Sequence, residues 1–450
     1  MMKEDQKIVL RLNKDAALGL IRRNPSGISR AEIAEQLSVS RSTVSSIVDD
    51  FISSGLVLER GVGASRGGRR PIVLEINPDA GRVVGVDMGA SHMLVVVADL
   101  RGQILCEAED QLDIASGPEV CLRGMSGLVS ETLAQAGCSL EKVRAIGVGV
   151  PGPVVAAQGI VSSPPIMPGW DGFPIRQWLE AQWRRSVMID NDADLGALGE
   201  WTFGAGQGEA NLAYIKIGTG IGCGILLDGR LYHGVLGTAG EIGHVTISQD
   251  GPPCKCGNYG CLEAMAGGRA IAQRAQMVVK AGQRTALANL TPGHEITARD
   301  VALAAQAGDA ISQQLLGDAG RHIGSALASL INLLNPGLIL IGGGVAEAGE
   351  FILGPVQEAV QQRSLRASLQ ATRIAQAALG RHSVSMGAQV GLKRHAERQT
   401  SGILICSPSA RTRAWSIVNN PDLLPVRVPA DGPRGRGRGA FVTNQQVCCA

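Results

Sequence analysis

The sequence has few aromatic residues and no long apolar segment. Phenylalanine, tryptophan and tyrosine make up 3% of its 450 residues, whereas glycine contributes 60. This balance favours an α/β protein with many tight loops over a β-sandwich. Charged residues interrupt the first twenty positions, so we expect neither a signal peptide nor a membrane span. We therefore expect a cytoplasmic protein that does not bind a membrane.

Charge and cysteine content set weaker limits. The net charge of +2 is too small to indicate a partner by itself. Without a secretion signal, the ten cysteines are expected to be mostly reduced unless they hold a metal. The length allows two or three domains, each with its own core.

Residues 1–78 follow the pattern of a winged helix-turn-helix. A capping box formed by Ser29 and Glu32 opens one helix, Ser40 opens the next, and a hairpin follows Gly55. Short hydroxyls and one arginine at the start of the second helix suit contacts with double-stranded DNA. The candidate DNA-binding residues are Arg41, Ser42, Thr43, Ser45 and Ser46 on the helix, and Arg66, Arg69 and Arg70 in the wing. A helical protein-interaction module with a solvated basic loop is the alternative, but the order of the features favours DNA.

Two copies of a β-meander follow, each with a glycine turn at the same joint. The turns are Asp87-Met88-Gly89-Ala90-Ser91 and Gly218-Thr219-Gly220-Ile221-Gly222. The repeat predicts two similar α/β lobes that face each other across a cleft. Such turns can aim backbone N–H groups at phosphate oxygens, although a glycine turn also serves any tight hairpin. The segment from Asn335 to Gly344 adds to the case for a nucleotide-type cleft.

A strand predicted from Val187 to Asp194 delivers polar side chains at its end. In an α/β fold, ligand groups collect at the carboxyl ends of strands. Asn191 can bind vicinal hydroxyls, and Asp192 could accept a proton during phosphoryl transfer. The alternative is that this acidic cluster only caps the next helix, and we expect that role for Asp194.

A short segment carries four residues with zinc-ligand chemistry: His244, Cys254, Cys256 and Cys261. A Cys3His set forms a closed tetrahedral zinc site, and Gly257 and Gly260 allow the chain to fold back around it. Ordinary thiols or a disulfide are the alternative, but Cys-x-Cys is too tight for an easy bridge. If one nitrogen of His244 binds zinc, the other can donate to a ligand hydroxyl.

With these residues in hand, the chain resembles the ROK family, and most closely its transcriptional regulators. The resemblance covers residues 8 to 395 and rests on Gly240-Glu241-Ile242-Gly243-His244 and on the segment from Cys254 to Glu263. It implies an actin-like ATPase, or ribonuclease-H-like, two-lobed body at 82–395 behind the winged helix-turn-helix. It also implies that Glu241, His244 and Glu263 bind sugar hydroxyls beside Asn191 and Asp192. Residues 396–450 lack regular periodicity and predict a disordered tail.

The family contains both regulators and kinases. In a kinase that uses ATP and Mg²⁺, Asp192 would be the catalytic base. The phosphate-binding residues would be Asp87, Gly89, Gly218, Thr219, Gly220 and Gly222. Ala90 stands where the kinase pattern has a second glycine, and its Cβ would crowd a phosphate. Ser163-Pro164-Pro165 also lacks the asparagine that kinases commonly place there.

These departures and the winged helix-turn-helix favour a regulator of carbohydrate metabolism genes. It would bind a sugar or sugar phosphate and act on a DNA operator as a homodimer or homotetramer. The alternatives are a hexose or N-acetylhexosamine kinase with a regulatory head, and a zinc-stabilised scaffold for protein binding. A scaffold would leave Glu241, His244 and Asn191 without a use.

Overall fold

The structure, a computed structural model, describes residues 4–24, 26–62, 72–290 and 295–390. The predicted tail at 396–450 and the predicted wing residues Arg66, Arg69 and Arg70 lie outside these ranges. Among the described helices, none is both long and apolar enough to cross a lipid bilayer.

The N-terminal part contains three helices and a three-stranded sheet. In chain order the elements are α1 (Glu4–Arg23), β1 (Ile28–Ser29), α2 (Arg30–Leu37), α3 (Arg41–Ser53), β2 (Val57–Val62) and β3 (Ile72–Ile76). The strand order is β1-β3-β2, and β2 pairs with β3 in antiparallel fashion. The predicted hairpin is therefore confirmed, whereas the two-residue strand β1 is an addition that the sequence pattern does not indicate.

Local capping and one apolar stripe explain this domain. Ser29 Oγ accepts the N–H of Glu32, and the Glu32 carboxylate accepts the N–H of Ser29, which confirms the capping box. Val44, Ile47 and Val48 on α3 are fully buried in a core shared with α2 and β3. Burial of each such side chain stabilises the fold by about 1.5–3 kcal/mol.

The first lobe of the body has a five-stranded sheet with the order β10-β7-β4-β5-β6. Its strands are β4 (Arg82–Met88), β5 (His92–Asp99), β6 (Ile104–Gln111), β7 (Val143–Val150) and β10 (Val187–Asn191), with β8 (Val154–Val155) and β9 (Ile160–Val161) forming a separate hairpin. Its helices are α4 (Pro118–Gln135), α5 (Ile175–Trp183) and α6 (Asp192–Phe203).

The second lobe has a five-stranded sheet with the order β13-β12-β11-β14-β15. Its strands are β11 (Leu212–Ile217), β12 (Ile221–Leu227), β13 (Arg230–Leu231), β14 (Leu338–Gly342) and β15 (Arg373–Gln376). Its helices are α7 (Leu262–Ala266), α8 (Gly268–Lys280), α9 (Leu287–Leu290), α10 (Ala298–Gln306), α11 (Ala310–Leu334), α12 (Glu350–Arg363) and α13 (Arg366–Ala371). A further helix spans 383–390.

The two sheets repeat one plan. In each, three consecutive strands are antiparallel (β4-β5-β6 and β11-β12-β13), and two later strands extend the other edge in parallel. The predicted repeat of the β-meander is confirmed. Helix α6 lies between the sheets and contacts β7 and β10 of the first and β11 and β12 of the second.

The predicted strand from Val187 to Asp194 is too long. The strand ends at Asn191, and α6 begins at the next residue. Asn191 is the N-cap, because its Oδ1 accepts the N–H groups of Ala193 and Asp194. Asp192 and Asp194 therefore project from the first turn of a helix that both lobes share.

Candidate functional site

A cleft opens between the two sheets, next to the carboxyl ends of β4, β7, β10 and β11. It brings together all the predicted sugar ligands and most of the predicted phosphate ligands: Asn191, Asp192, Glu241, His244 and Glu263, with Gly89, Gly218, Thr219, Gly220 and Gly222. Asp87 does not line the cleft, and neither do residues 335–344. The roles of these residues stay predictions, but their proximity is a property of the fold.

Asn191 is held firmly in place. Its Oδ1 caps α6, and its Nδ2 donates to the carbonyl of Gly152 at 3.0 Å. The side chain is half-buried at the edge of the cleft. Its orientation is therefore set before any ligand binds, which lowers the entropic cost of recognition.

Two glutamates from the second lobe face the same space. Glu263 Oε2 accepts the N–H of Ile221 at 3.1 Å, and a Cβ on Gly220 would lie 2.1 Å from this oxygen. Glycine is therefore required where the turn meets Glu263. Burial raises the pKa of Glu241, and His244 partly offsets that shift. A polyhydroxylated ligand could supply hydrogen-bond donors to this carboxylate.

Lys216 is a cleft residue that the sequence analysis missed. Its Nζ donates to Asp192 Oδ2 at 2.9 Å and to Asp87 Oδ1 at 3.1 Å. Burial lowers the pKa of Lys216, but Asp192 and Asp87 together raise it above the ordinary value, so the lysine stays charged. The sequence signal was a single lysine within the apolar strand Leu212–Ile217.

In each glycine turn, one backbone N–H group already donates a hydrogen bond within the turn. The N–H of Gly89 donates to the carbonyl of His92, and the N–H of Gly218 donates to the carbonyl of Gly220, both at 2.9 Å. The ring of His92 packs against Gly89, where an added Cβ would lie 2.8 Å from Cε1. These two backbone donors are therefore already engaged.

The four predicted metal ligands converge. One ligand atom from each of His244, Cys254, Cys256 and Cys261 lies within 4.8 Å of all the others. Cys254 Sγ is 3.6 Å from His244 Nδ1, and Cys256 Sγ is 3.7 Å from Cys261 Sγ. A tetrahedral zinc site with Zn–S bonds of about 2.3 Å and Zn–N bonds of about 2.0–2.1 Å has edges of roughly 3.5–3.8 Å. The donor set fits zinc in both chemistry and spacing.

Two further features of this loop concern its shape and the protonation of its thiols. Gly257 and Gly260 have φ angles of 95° and 63°, which an L side chain rarely adopts. Burial and the two neighbouring thiols raise the pKa of Cys261 to about 12. Since zinc binds thiolates, its uptake would release protons. His244 directs Nδ1 to the sulfurs and Nε2 to Glu241, which lies 3.9 Å away.

Asp190, Asp194 and His233 form a second cluster. His233 Nε2 lies 3.2 Å from Asp190 Oδ2 and 3.6 Å from Asp194 Oδ2. Burial, followed by the charge of Asp190, raises the pKa of Asp194 well above its ordinary value. The predicted capping role of Asp194 is wrong, since Asn191 caps the helix and Asp194 points to His233.

The predicted DNA-contact residues at the start of α3 are partly or fully exposed. Arg41, Ser42 and Ser46 are exposed, and Thr43 and Ser45 are intermediate. Ser40 Oγ lies 2.8 Å from Ser42 Oγ and 2.7 Å from Thr43 Oγ1, so these three hydroxyls form one network at the helix N-terminus. That end of a helix also attracts phosphate through its free N–H groups.

The turn between β5 and β6 joins the body to the winged helix-turn-helix. Arg101 donates to Glu75 at 2.8 Å and to the carbonyl of Ile76 at 2.9 Å. Leu100 packs against the core of the winged helix-turn-helix. The next residue, Gly102, lies so close to Phe203 that an added Cβ would be 2.7 Å from its ring. Because Phe203 ends α6, one helix runs from the cleft to this turn.

Comparison with models of protein families matches both parts of the chain. Residues 83–394 match the model of the ROK family, and residues 16–70 match a model of the MarR family.

Comparison with individual proteins finds both regulators and kinases. The xylose repressor of Caldicellulosiruptor bescii is 32% identical over 360 residues, which cover 80% of this chain and 90% of that protein. A crystal structure of a ROK family transcriptional regulator, a homologue of the E. coli MLC protein, matches with a TM-score of 0.71 and 27% identity over 86% of this chain and 96% of that chain. A ROK family glucokinase from Streptomyces griseus, in complex with glucose and AMPPNP, matches with a TM-score of 0.63 and 30% identity over 70% of this chain and 100% of that chain.

Proposed function

This chain belongs to the ROK family, and we propose that it is a sugar-responsive repressor that binds double-stranded operator DNA. One observation carries the proposal: a winged helix-turn-helix contacts, through Arg101, a body whose cleft is lined by carboxylates, an amide and an imidazole. The repressor and regulator relatives match 80% and 86% of the chain, whereas the glucokinase matches 70%. Because the regulators match more of this chain than the glucokinase does, the comparison favours a regulator.

The cleft has the groups that a sugar needs. The carboxylates of Glu241 and Glu263 accept hydrogen bonds from hydroxyls, and His244 Nε2 can donate one. Asn191 and Asp192 add polar groups from the other lobe. We propose these five residues as the sugar ligands. A buried carboxylate left without a hydrogen-bond donor costs about 1–3 kcal/mol or more, so the network selects sugars whose hydroxyls lie opposite the carboxylates.

We propose that zinc, held by His244 and the three cysteines, keeps the segment after Glu241 in its binding arrangement. The spacing of the four ligand atoms and the two positive φ angles support this proposal. When bound, zinc supplies a fixed cation that sets the tautomer of His244. His244 can then donate through Nε2 toward the cleft.

We propose that α6 transmits sugar binding to the DNA-binding domain. Its first turn carries the sugar ligand Asp192, and its last residue packs against the turn that contains Arg101. A sugar that prefers one arrangement of the two lobes would shift α6 and change how the winged helix-turn-helix is held. Because the proposed function is that of a repressor, we take the direction of this change to be release of the operator.

We propose a homodimer or homotetramer as the DNA-binding form. A single winged helix-turn-helix presents one recognition helix, which covers one half-site. Two copies related by a two-fold axis would read a pseudo-palindromic operator. Sedimentation analysis of the full chain tests this proposal, and a monomer that still binds a palindromic site with full affinity would contradict it.

A gel-shift titration tests the proposed function. The probe is the DNA upstream of the protein's own gene, with and without D-xylose, D-glucose and N-acetylglucosamine at moderate salt. We expect a specific complex that at least one sugar weakens, and we expect Arg41→Ala to weaken the complex without changing sugar binding. The absence of specific binding under every condition would refute the proposal.

A further inference from the structure

Lys216 places a fixed positive charge between the two lobes. Lys216 lies on β11 of the second sheet, and Asp87 lies on β4 of the first. Salt bridges of 2.9 Å to Asp192 and 3.1 Å to Asp87 connect the lysine to both carboxylates. The side chains of Lys216, Asp192 and Asp87 are 12%, 16% and 5% exposed, so water screens these contacts weakly.

This arrangement does not fit Mg²⁺ and ATP. In phosphoryl transfer, carboxylates hold Mg²⁺, and a carboxylate beside the substrate accepts the proton of the attacking hydroxyl. Here both Asp87 and Asp192 already bind an ammonium group. A Mg²⁺ ion about 2.1 Å from the same oxygens would lie close to a second cation. The lysine therefore takes the electrostatic role that a divalent ion would have.

Three backbone N–H groups of the glycine turns are already engaged and cannot be offered to a phosphate without losing a hydrogen bond. The N–H groups of Gly89 and Gly218 donate within their own turns, and the N–H of Ile221 donates to Glu263. Phosphate sites depend on several convergent backbone N–H groups. The ring of His92 against Gly89 further narrows the first glycine turn.

The charges that line the cleft also disfavour a phosphate. Three carboxylates line the cleft, namely Asp192, Glu241 and Glu263, and the ammonium of Lys216 is shared between Asp192 and Asp87. A phosphate dianion would meet like charges without a free cation in Lys216 to balance it. Neutral hydroxyls, in contrast, donate hydrogen bonds to carboxylates at no such cost.

We infer that Lys216 makes this cleft a receptor for an unphosphorylated monosaccharide and excludes both Mg²⁺–ATP and sugar phosphates. The inference rests on the proposed function and names the class of effector. Lys216 acts as a specificity-determining residue, because its ammonium pairs with Asp192 and Asp87 in place of a divalent ion, whereas the remaining lone pairs of Asp192 and the two glutamates still accept from sugar hydroxyls.

Calorimetric titration of the full chain with matched ligand pairs tests this inference. The pairs are D-glucose and glucose 6-phosphate, N-acetylglucosamine and its 6-phosphate, and D-xylose and xylose 5-phosphate; AMP-PNP with Mg²⁺ is a separate titrant. We expect at least one neutral sugar to bind, its phosphate to bind at least tenfold more weakly, and AMP-PNP not to bind. A phosphate that binds as tightly as its parent sugar, or Mg²⁺-dependent binding of AMP-PNP, would overturn the inference and leave the proposed function standing. If none of the sugars or sugar phosphates binds, the inference fails, and the gel shift decides the proposed function separately.

A variant provides a second test. Lys216→Met keeps much of the side-chain length but leaves Asp87 and Asp192 without their cation. We expect Mg²⁺ to raise the melting temperature of Lys216→Met, and to leave the wild type and the exposed control Lys142→Met unchanged. A folded Lys216→Met protein whose melting temperature does not change with Mg²⁺ would contradict the proposal that Lys216 excludes Mg²⁺. If the variant does not fold, the ligand pairs on the wild type still decide the question.

Discussion

Arg101 in the body and Glu75 in the winged helix-turn-helix form an ion pair of 2.8 Å. The same Glu75 carboxylate accepts from Arg60 on β2 at 3.0 Å, and the residue is 7% exposed. One buried carboxylate thus holds a side chain from the wing hairpin and a side chain from the sugar-binding body. The contact gives the two functions a shared structural element.

Replacing Arg101 with alanine should uncouple the two functions. The body would lose its ion pair to Glu75 and its hydrogen bond to Ile76, while both binding surfaces stay intact. We expect sugar affinity to be retained and the effect of sugar on operator affinity to fall several-fold. Fluorescence anisotropy with labelled operator, with and without saturating sugar, measures this. Arg123→Ala, on the exposed face of α4, is the control, and an unchanged sugar effect in Arg101→Ala would contradict the coupling role.

Replacing Cys254 with serine should remove a zinc ligand. We expect loss of about one equivalent of zinc per chain and a weaker sugar response, with the winged helix-turn-helix still folded, because a serine hydroxyl is a poor substitute for a thiolate. Elemental analysis of the purified protein measures the metal content. Cys106→Ser is the matched control, since Cys106 contacts Gln135 and lies outside the cluster. Equal zinc in both variants would exclude Cys254 as a ligand.

Glu241→Gln tests the sugar pocket. A hydrogen bond to a charged group contributes about 1.5–3 kcal/mol, so we expect sugar affinity to fall by roughly 10- to 100-fold. Burial raises the pKa of Glu241, so a neutral amide should not destabilise the fold. Calorimetric titration gives the affinity, and Glu358→Gln on the exposed face of α12 is the control. Wild-type affinity in Glu241→Gln would show that this carboxylate does not touch the sugar.

Asp194→Asn should change how stability depends on pH. Burial and the charge of Asp190 raise the folded-state pKa of Asp194, and His233 lowers it in part, with Asp192 and Glu241 also nearby. The contribution of Asp194 to stability is therefore fully present below its unfolded pKa of about 3.9 and is lost as pH rises through the folded pKa. Because asparagine does not titrate, we expect the melting temperature of the variant to gain on that of the wild type as pH increases from 4 to neutrality. A constant difference across this range would contradict the shift.

The sequence predicted features that depend on nearby residues. The capping box of α2, the serine cap of α3 and the cysteine-rich segment all lie within short stretches, so their patterns are visible without the fold. The repeated β-meander is also local in each copy, and its two copies predicted the two lobes. The structure confirms these features of the fold and brings together the four side chains that the sequence predicts as metal ligands.

The features that were missed depend on contacts between distant parts of the chain. Lys216 reaches Asp87, 129 positions away, and a lone lysine in an apolar strand does not name its partner. Arg101 lies in a turn of ordinary composition and reaches Glu75 across a domain boundary. The early start of α6 was missed because Asn191 fits a strand end and a helix cap equally well.

Reciprocal linkage between sugar and operator is the most direct test of the account. The dissociation constant of the sugar is measured for the free protein and for the protein saturated with operator, and the operator constant is measured with and without sugar. We predict that each ligand weakens the other by the same factor, on the order of 5- to 150-fold. A sugar that binds the free protein and the operator complex equally well would show that the cleft does not control the winged helix-turn-helix.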